Sequence, residues 1–166
     1  MRFRLLTAVR ALLTDGRIAD RKDVVRVSAL VLMAKASRGT CRVEITAREL
    51  GRWLGVSEST VDHEVLPVLR EVEAVSARVL RGDDGLPTGV EYRVEPLWEA
   101  RGDAGAPLAL SKVELATLLR FIEGLFAPGW GEQCATPPGL LVERRGRGAA
   151  SDRLALVLLA LHARPD

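Results

Sequence analysis

The stretch at residues 46–66, TARELGRWLGVSESTVDHEVL, constrains the fold more than any other part of the sequence. Thr46 and Glu49 form a T-x-x-E pattern, in which each side chain satisfies a backbone donor at the start of a helix. A helix is therefore expected to begin near Ala47. The apolar residues that follow at helical spacing predict its buried face, which consists of Leu50, Trp53 and Leu54.

The corner after this helix is marked by Gly55, because glycine adopts the left-handed backbone of a tight turn without strain. Ser57 can then cap a second helix, whose apolar positions fall at helical spacing between residues 61 and 72. Pro67 lies within that helix, where proline loses a backbone hydrogen bond and clashes with the preceding turn. We therefore expect two short helices around a tight turn, with a kink or an early end of the second helix near Val65.

The segments on either side of this motif complete a regular order of elements. Upstream, residues 23–39 have one apolar helical stripe, with Asp23 as the candidate N-cap, and residues 41–45 alternate like one short strand. Downstream, alternating apolar residues on both sides of the turn-rich stretch 81–89 predict a β-hairpin. The predicted order is helix, strand, helix, tight turn, helix and hairpin, which gives a mainly helical α+β fold.

The remainder of the chain predicts a helical extension. Residues 98–107 are rich in Gly, Ala and Pro and predict a linker. Residues 108–166 contain a second capping box at Ser111 and Glu114, and a final helix that begins at Ser151 and is apolar nearly all round. Because such a helix must be buried, we expect this region to carry dimerisation or partner binding. The alternative is that its helices pack against the N-terminal helix and complete a monomer core.

Charge is unevenly distributed along the chain. The formal net charge is +2, yet residues 1–45 carry ten Lys/Arg against four Asp/Glu, whereas residues 46–99 carry six against eleven. Residues 1–22 therefore predict a basic N-terminal helix or arm ahead of a domain at residues 23–97. A basic segment at this place is a candidate phosphate contact, although basic runs also occur on ordinary solvated faces.

Composition and spacing argue against several classes of protein. A chain of 166 residues with 48% hydrophobic content can bury a core without disulfides. Cys41 and Cys134 are far apart in sequence, and we expect them to be buried, reduced thiols. The sequence contains no metal-ligand spacing, no phosphate-binding glycine loop and no set of nucleophile, base and orienting residue. We therefore expect no metal, no cofactor and no enzymatic activity.

The apolar segments are too short to cross a membrane and too interrupted to form a signal peptide. The longest apolar run, residues 154–161, is far shorter than the roughly 18 residues that cross a bilayer. Near the N-terminus, Arg10 interrupts the apolar run and no small-residue cleavage site follows, which argues against a signal peptide. We expect a soluble, cytoplasmic protein.

The sequence ELGRWLGVSESTVDHEVLPVLREVEAV, followed by a hairpin, resembles the winged helix-turn-helix domain of bacterial transcriptional regulators of the MarR and GntR type. The resemblance covers residues 23–97, and its most specific part is the corner glycine followed by VSxSTV. The last third of the chain shows no such resemblance. What the resemblance implies is a protein that binds double-stranded DNA, with the helix at residues 57–66 in the major groove.

The resemblance also implies roles for individual residues. Arg48 and Arg52, on the helix before the corner, would face the phosphates of a flanking strand, and Arg81, at the base of the wing, would contact the backbone or the minor groove. Base edges would be reached from the groove-facing positions Ser57, Ser59, Thr60, Asp62 and His63. The alternatives are that Ser57 and Thr60 only cap the helix, and that Arg48 and Arg52 only pair with nearby acids.

The helix after the corner is acidic, which departs from the Arg- and Lys-rich helices usual in this family. Glu58 lies in the first turn, where the helix dipole favours an acid, while Asp62 can accept from cytosine N4 although phosphates repel it. We expect a sequence-specific DNA-binding transcriptional regulator that forms a dimer. The alternatives are a winged-helix protein-interaction module without DNA binding, which the acidic helix supports, and a DNA-binding protein of plasmid replication or partition.

Overall fold

The computed structural model describes residues 1–131 and 133–163 and shows an α+β fold in which about 51% of the chain is helical. The predicted class is confirmed. Residues 132 and 164–166 of the predicted C-terminal region lie outside the described residues. In chain order the elements are α1 (Arg2–Leu13), α2 (Asp23–Lys35), β1 (Arg42–Glu44), α3 (Ala47–Leu54), α4 (Glu58–Thr60), a π-helical turn (Val61–Val65), α5 (Leu66–Glu71), β2 (Val75–Arg81), β3 (Pro87–Val94), α6 (Glu95–Ala100), α7 (Lys112–Phe126) and α8 (Ala149–His162).

Helix α2 lies at the centre of the fold and contacts α1, α3, α7, α8 and the sheet. Every residue from Val27 to Ala34 is buried, which is more than the single predicted stripe, because neighbours cover the helix on several sides. The N-cap position is held by Lys22, with Asp23 as the first helical residue. The prediction of a buried helix is confirmed, and the predicted N-cap is wrong by one residue.

The corner between α3 and α4 has the predicted backbone. Thr46 Oγ1 accepts from the amide of Glu49 at 3.0 Å, and Gly55 has a φ of 75° at the end of α3. Ser57 Oγ accepts from the amide of Thr60 at 3.1 Å and so caps the next helix. Only half of the first capping box forms, because the carboxylate of Glu49 pairs with Arg52 at 2.9 Å.

Residues 58–71 form one helical segment, made of α4, the π-helical turn and α5, which we call the post-turn helix. Within it the amide of Leu66 donates to the carbonyl of Val61, five residues earlier. Pro67, which has no amide hydrogen, occupies the first turn of α5, so the wide turn accommodates a residue that an ordinary α-helix excludes. The irregularity predicted near Val65 is therefore a π-helical turn, and the helix does not end there.

The three strands form an antiparallel sheet in the order β1, β3, β2. Tyr92 of β3 lies opposite Val43 on one side and Ala77 on the other. The predicted strand and hairpin are confirmed. Helix α6, which overlaps the start of the predicted linker, was not predicted; it begins directly after Val94, with Pro96 in its first turn, where proline is tolerated.

The N-terminal and C-terminal helices share a core with the central motif. Helix α1 buries an apolar face against α2 and α8, and α7 packs against α2 and α8. One cluster of buried apolar side chains runs from Leu5 in α1 to Leu161 in α8. This is the packing that was weighed as the alternative to a separate C-terminal interaction region.

Two further observations concern the chain as a whole. Cys41 and Cys134 are buried and are not joined in a disulfide, as predicted. Within residues 1–131 and 133–163, no helix combines the length and the hydrophobicity needed to cross a membrane.

Candidate nucleic-acid interface

The first turns of the post-turn helix expose the residues that were predicted to face DNA. Ser57, Ser59, Asp62 and His63 are exposed and Thr60 is half-buried. The buried face of the same turns is formed by Val61 and Val65. The outward face carries polar and acidic side chains and the imidazole of His63, but no lysine or arginine.

Hydrogen bonds within the helix restrict how His63 can act. Its Nδ1 lies 2.8 Å from the carbonyl oxygen of Ser59 and 3.4 Å from the Ser59 hydroxyl. A carbonyl oxygen only accepts, so Nδ1 must carry the hydrogen. In neutral His63 the remaining nitrogen, Nε2, is then an acceptor, and it becomes a donor only when the ring is protonated. A hydrogen bond donated by His63 Nε2 to guanine or to a phosphate therefore requires the imidazolium.

Ser57 and Thr60 are engaged with each other. Ser57 Oγ caps the Thr60 amide, and the two hydroxyl oxygens are 3.0 Å apart. The capping role weighed for Ser57 is confirmed. An exposed hydroxyl that accepts from an amide can still donate its own hydrogen to an outside acceptor, so Ser57 can cap the helix and contact a ligand at once.

The acidic residues of the post-turn helix are exposed. Glu64 lies 3.8 Å from the ammonium of Lys22, at the start of α2, measured between Oε1 and Nζ. No ion pair among the described residues neutralises Glu58 or Asp62. Two full negative charges therefore lie on the surface that is the candidate for groove contact.

The two arginines of α3 have different environments. Arg48 is exposed and makes no ion pair within the described part of the chain. Arg52 pairs with Glu49 at 2.9 Å, and its Nη2 donates to the carbonyl of Pro128 at 3.3 Å. The alternative of pairing with a nearby acid is therefore confirmed for Arg52, whereas Arg48 presents its charge to solvent.

The hairpin presents mixed charge. Arg81 Nη1 donates to the carbonyl of Gly85 at 3.0 Å, so this side chain supports the turn of the hairpin. Asp83 and Asp84, in the same turn, are exposed. Arg78 of β2 pairs with Glu91 of β3 at 2.5 Å. The hairpin therefore offers Arg81 as an exposed cation beside two acids.

A buried arginine that sequence reasoning missed holds the C-terminal region against the corner. Arg153 of α8 has 0% exposure and forms no ion pair among residues 1–131 and 133–163, and its guanidinium donates to four carbonyl oxygens. Burial, and secondarily the charges of Arg144 and Arg145, lower its pKa to about 10. The carbonyls belong to Trp53 at 2.8 Å, Arg144 at 2.7 Å, Leu141 at 3.1 Å and Ala149 at 3.2 Å.

The loop ahead of α8, residues 144–148, lies directly on the corner. The amide of Gly146 donates to the carbonyl of Gly55 at 2.8 Å. A Cβ atom on Gly55 would lie 2.6 Å from the carbonyl oxygen of Arg144 and 2.6 Å from Arg153 Nη1. Gly55 is therefore needed for its left-handed backbone and also for the close approach of this loop.

A groove of about 490 Å³ separates this loop from the start of α2 and the start of the post-turn helix. Its polar and charged lining consists of Lys22, Asp23, Ser57, Thr60, Arg147 and Ser151. The groove thus joins residues predicted to face DNA with a basic residue of the C-terminal region. No group of three or more His, Cys, Asp or Glu side chains within the described residues is placed to bind a metal.

Comparison of the chain with protein-family models, with curated proteins and with solved structures finds no match. The candidate interface is therefore defined by the geometry given above. Its main elements are the exposed polar start of the post-turn helix, Arg48 on α3, the hairpin and the basic loop at residues 144–148.

Proposed function

We propose that the chain is a sequence-specific double-stranded DNA-binding protein, a transcriptional regulator whose residues 23–97 form a winged helix-turn-helix. The observation that carries the proposal is the corner at Gly55, with a φ of 75°, followed by a capped helix whose first turns expose Ser57, Ser59 and His63. This is the geometry by which a helix enters the major groove with its N-terminal residues towards base edges. In this proposal the adjacent β2–β3 hairpin is the wing.

The exposed groups of the helix favour bases that carry an amino group. Asp62 is a hydrogen-bond acceptor, and neutral His63 presents Nε2 as an acceptor because Nδ1 donates to Ser59. In the major groove, cytosine offers the N4 amino group and adenine the N6 amino group. Contacts to these bases would give sequence preference without adding positive charge, at a cost in affinity from the nearby phosphates.

Phosphate contacts are assigned to exposed cations around the helix. Arg48 is the candidate on α3, since Arg52 is held by Glu49 and Pro128, and Arg81 is the candidate on the hairpin. Each cation that neutralises a phosphate releases condensed counterions. Affinity for duplex DNA is therefore expected to fall steeply as salt concentration rises.

Fluorescence anisotropy with labelled duplexes tests the proposal. A random-sequence duplex is titrated between about 50 and 200 mM salt, and a duplex enriched by rounds of selection on the protein is titrated alongside it. The double variant Ser59→Ala/His63→Ala should lose about 1 to 3 kcal/mol for each base contact on the selected duplex and little on the random one. Absence of duplex binding by the folded protein at low salt contradicts the proposal.

The second candidate is a winged-helix module that binds another protein and not DNA. Exposed Glu58 and Asp62, with no ion pair among the described residues, favour this candidate because uncompensated carboxylates repel phosphates. The same titration separates the two candidates, since a protein-interaction module should show almost no binding to duplex DNA at any salt concentration. A role in plasmid replication or partition uses the same DNA chemistry as the regulator and predicts the same titration.

A homodimer forms part of the proposal. A helix-turn-helix protein reads a two-fold symmetric site with two copies about one DNA turn apart. Large apolar side chains remain exposed on the C-terminal helices, with Val113 of α7 at 64% and Leu159 of α8 at 66% exposure. These side chains are the candidate contact between copies, beyond the core that α7 and α8 share with α2.

A further inference from the structure

We infer that the loop at residues 144–148 belongs to the nucleic-acid interface and binds the phosphate backbone of duplex DNA beside the acidic post-turn helix. This inference rests on the proposed function and extends it to a region outside the winged helix-turn-helix. The cations assigned to the backbone are Arg147 and Arg145 of the loop, together with Lys22 at the start of α2.

The position of the loop is the first argument. The hydrogen bond from Gly146 to the carbonyl of Gly55 places the loop on the corner. Arg147 and Lys22 line the same groove as Ser57 and Thr60. A strand of DNA that reaches the first turn of the post-turn helix from this side therefore meets both cations.

The rigidity of the loop is the second argument. Arg153, buried beneath it, donates to the carbonyls of Arg144 and Leu141. Arg144 donates to the carboxylate of Asp152 at 2.7 Å and to the carbonyl of Arg147 at 2.8 Å. These bonds hold the loop backbone before any ligand binds, so little conformational entropy is lost on contact.

The use of charge within the loop is the third argument. The side chains of Arg144 and Arg153 form hydrogen bonds within the protein. Arg145 and Arg147, in contrast, are exposed and form no ion pair among residues 1–131 and 133–163. Ser151, in the first turn of the 14-residue helix α8, also lines the groove. The positive end of that helix dipole adds to the attraction for an anion.

The negative charge of the post-turn helix, which lies across the groove from the loop, is the fourth argument. The post-turn helix carries Glu58, Asp62 and Glu64, and Lys22 already lies 3.8 Å from Glu64. A duplex placed against this helix needs cations that the helix does not supply. The loop provides two of them: Arg147 lines the same groove, and Arg145 lies two residues before it. They are 90 and 92 residues from Gly55 in sequence, but the hydrogen bond from Gly146 to the carbonyl of Gly55 places the loop on the corner.

The test compares two double variants that remove the same charge. Arg145→Ala/Arg147→Ala alters the loop, while Arg38→Ala/Arg120→Ala alters two exposed arginines that do not line the groove. Each protein is titrated by fluorescence anisotropy against the selected duplex and a random duplex over a range of salt. Circular dichroism and urea unfolding check that both variants remain folded.

The loop variant should lose affinity for both duplexes by the same factor and flatten the salt dependence by about one counterion per arginine, with sequence preference unchanged. The control variant, Arg38→Ala/Arg120→Ala, should change the affinity and the salt dependence less than the loop variant does. Arg145→Lys/Arg147→Lys keeps the charge and should recover most of the affinity and the slope. Equal behaviour of the loop variant and its control, in a wild-type protein that binds DNA, overturns the inference and leaves the proposed function standing. Absence of binding by the wild-type protein at low salt overturns both.

Discussion

Nε of Arg153 lies 2.8 Å from the carbonyl oxygen of Trp53, although the two residues are 100 positions apart in the chain. The bond joins the first turns of α8 to the end of α3, next to the corner at Gly55. The corner between α3 and the post-turn helix is consequently supported by the C-terminal region. A change in α8 can therefore alter both the stability of the fold and the position of the post-turn helix.

Replacing Arg153 should destabilise the protein strongly. Arg153→Met keeps much of the apolar stem but leaves the carbonyls of Trp53, Arg144, Leu141 and Ala149 without this donor. We expect a loss of about 2 to 4 kcal/mol in the free energy of unfolding, from buried acceptors left unpaired and offset by the removal of a desolvated charge. Urea unfolding measures it.

Two controls accompany this variant. Arg153→Lys should also lose stability, because one ammonium group cannot reproduce the planar set of donors of a guanidinium. Arg120→Ala, on the exposed face of α7, should stay within about 0.5 kcal/mol of the wild-type protein. An Arg153→Met protein as stable as the wild type would mean that these hydrogen bonds contribute nothing net.

The corner glycine permits a comparison between backbone strain and crowding. Gly55 and Gly85 have nearly the same φ, 75° and 77°, but a Cβ on Gly55 meets Arg144 and Arg153 at 2.6 Å, whereas Gly85 has nothing within 4 Å. Gly85→Ala should cost about 1 to 2 kcal/mol from the left-handed backbone alone. Gly55→Ala should cost clearly more, because the loop at residues 144–148 must also move.

Urea unfolding of both glycine variants checks this expectation. The difference between the two losses in the free energy of unfolding gives the contribution of the contact between the corner and the loop. Should the two variants lose the same stability, the loop would be able to withdraw from the corner at no cost. That result would also weaken the assignment of the loop to the interface.

Acid should weaken the junction between α1 and α7 through Glu114. Its carboxylate accepts from the backbone and hydroxyl of Ser111 and lies 3.1 Å from Arg4, measured between Oε2 and Nε, and these contacts lower its pKa below the ordinary value of 4.5. Because the folded-state pKa is depressed, the stabilisation is complete above the unfolded pKa. It is lost as pH falls through the lower, folded-state pKa.

A pH series of thermal unfolding on the wild type and on Glu114→Gln measures this contribution. The variant should be less stable at neutral pH. The difference between the two proteins should begin to shrink as pH falls below about 4.5 and should vanish below the lower, folded-state pKa, where both side chains are uncharged. Glu123→Gln, on the same helix, provides the control. A constant difference between wild type and Glu114→Gln across the series would show that the charge of Glu114 contributes nothing.

Features set by neighbouring residues were predictable from sequence. The caps at Thr46, Ser57 and Ser111 and the turn at Gly55 each depend on residues within four positions, so their side chains and backbone preferences are sufficient to identify them. The hairpin follows from alternation and a turn-rich tip. Pro67 predicted an irregularity in the helix. Whether the helix ends there or widens into a π-helical turn depends on the packing of α5 against the rest of the fold, which the sequence does not give.

Features set by distant contacts were not predictable. Arg52 is held by the carbonyl of Pro128, and the corner by a loop that begins at residue 144. A signal for Arg153 did exist, since Arg153, Val157 and Leu161 are spaced by four residues and share one buried helical face. The sequence does not reveal which carbonyl groups such an arginine meets, and so the candidate interface gained its basic loop only from the structure.

The proposed dimer should depend on apolar residues of the C-terminal helices. Val113→Asp/Leu159→Asp places charges on side chains that are 64% and 66% exposed, so each monomer should stay folded while association is lost. Light scattering of the full-length chain over a range of concentrations measures the mass. Leu86→Asp, on the hairpin at 62% exposure, is the matched control and should leave the dimer intact. A wild-type chain that remains monomeric at high concentration refutes the dimer.

Asp62 decides whether the acidic helix contributes to sequence preference. Asp62→Asn removes a charge that repels phosphates and converts a pure acceptor into a group that also donates. If Asp62 accepts from a base amino group, the variant should bind random duplexes more tightly. It should also lose about 1 to 3 kcal/mol of discrimination at one base position of the selected site.

The matched control for this change is Glu71→Gln, which removes the same charge from an exposed position at the far end of the post-turn helix. Anisotropy competition with duplexes that differ from the selected site by one base pair each measures both effects. Glu71→Gln should leave the ranking of these duplexes unchanged, because a distant charge acts on all of them alike. An identical ranking for Asp62→Asn and the wild type would place Asp62 outside the groove and leave Ser59 and His63 as the candidate base contacts.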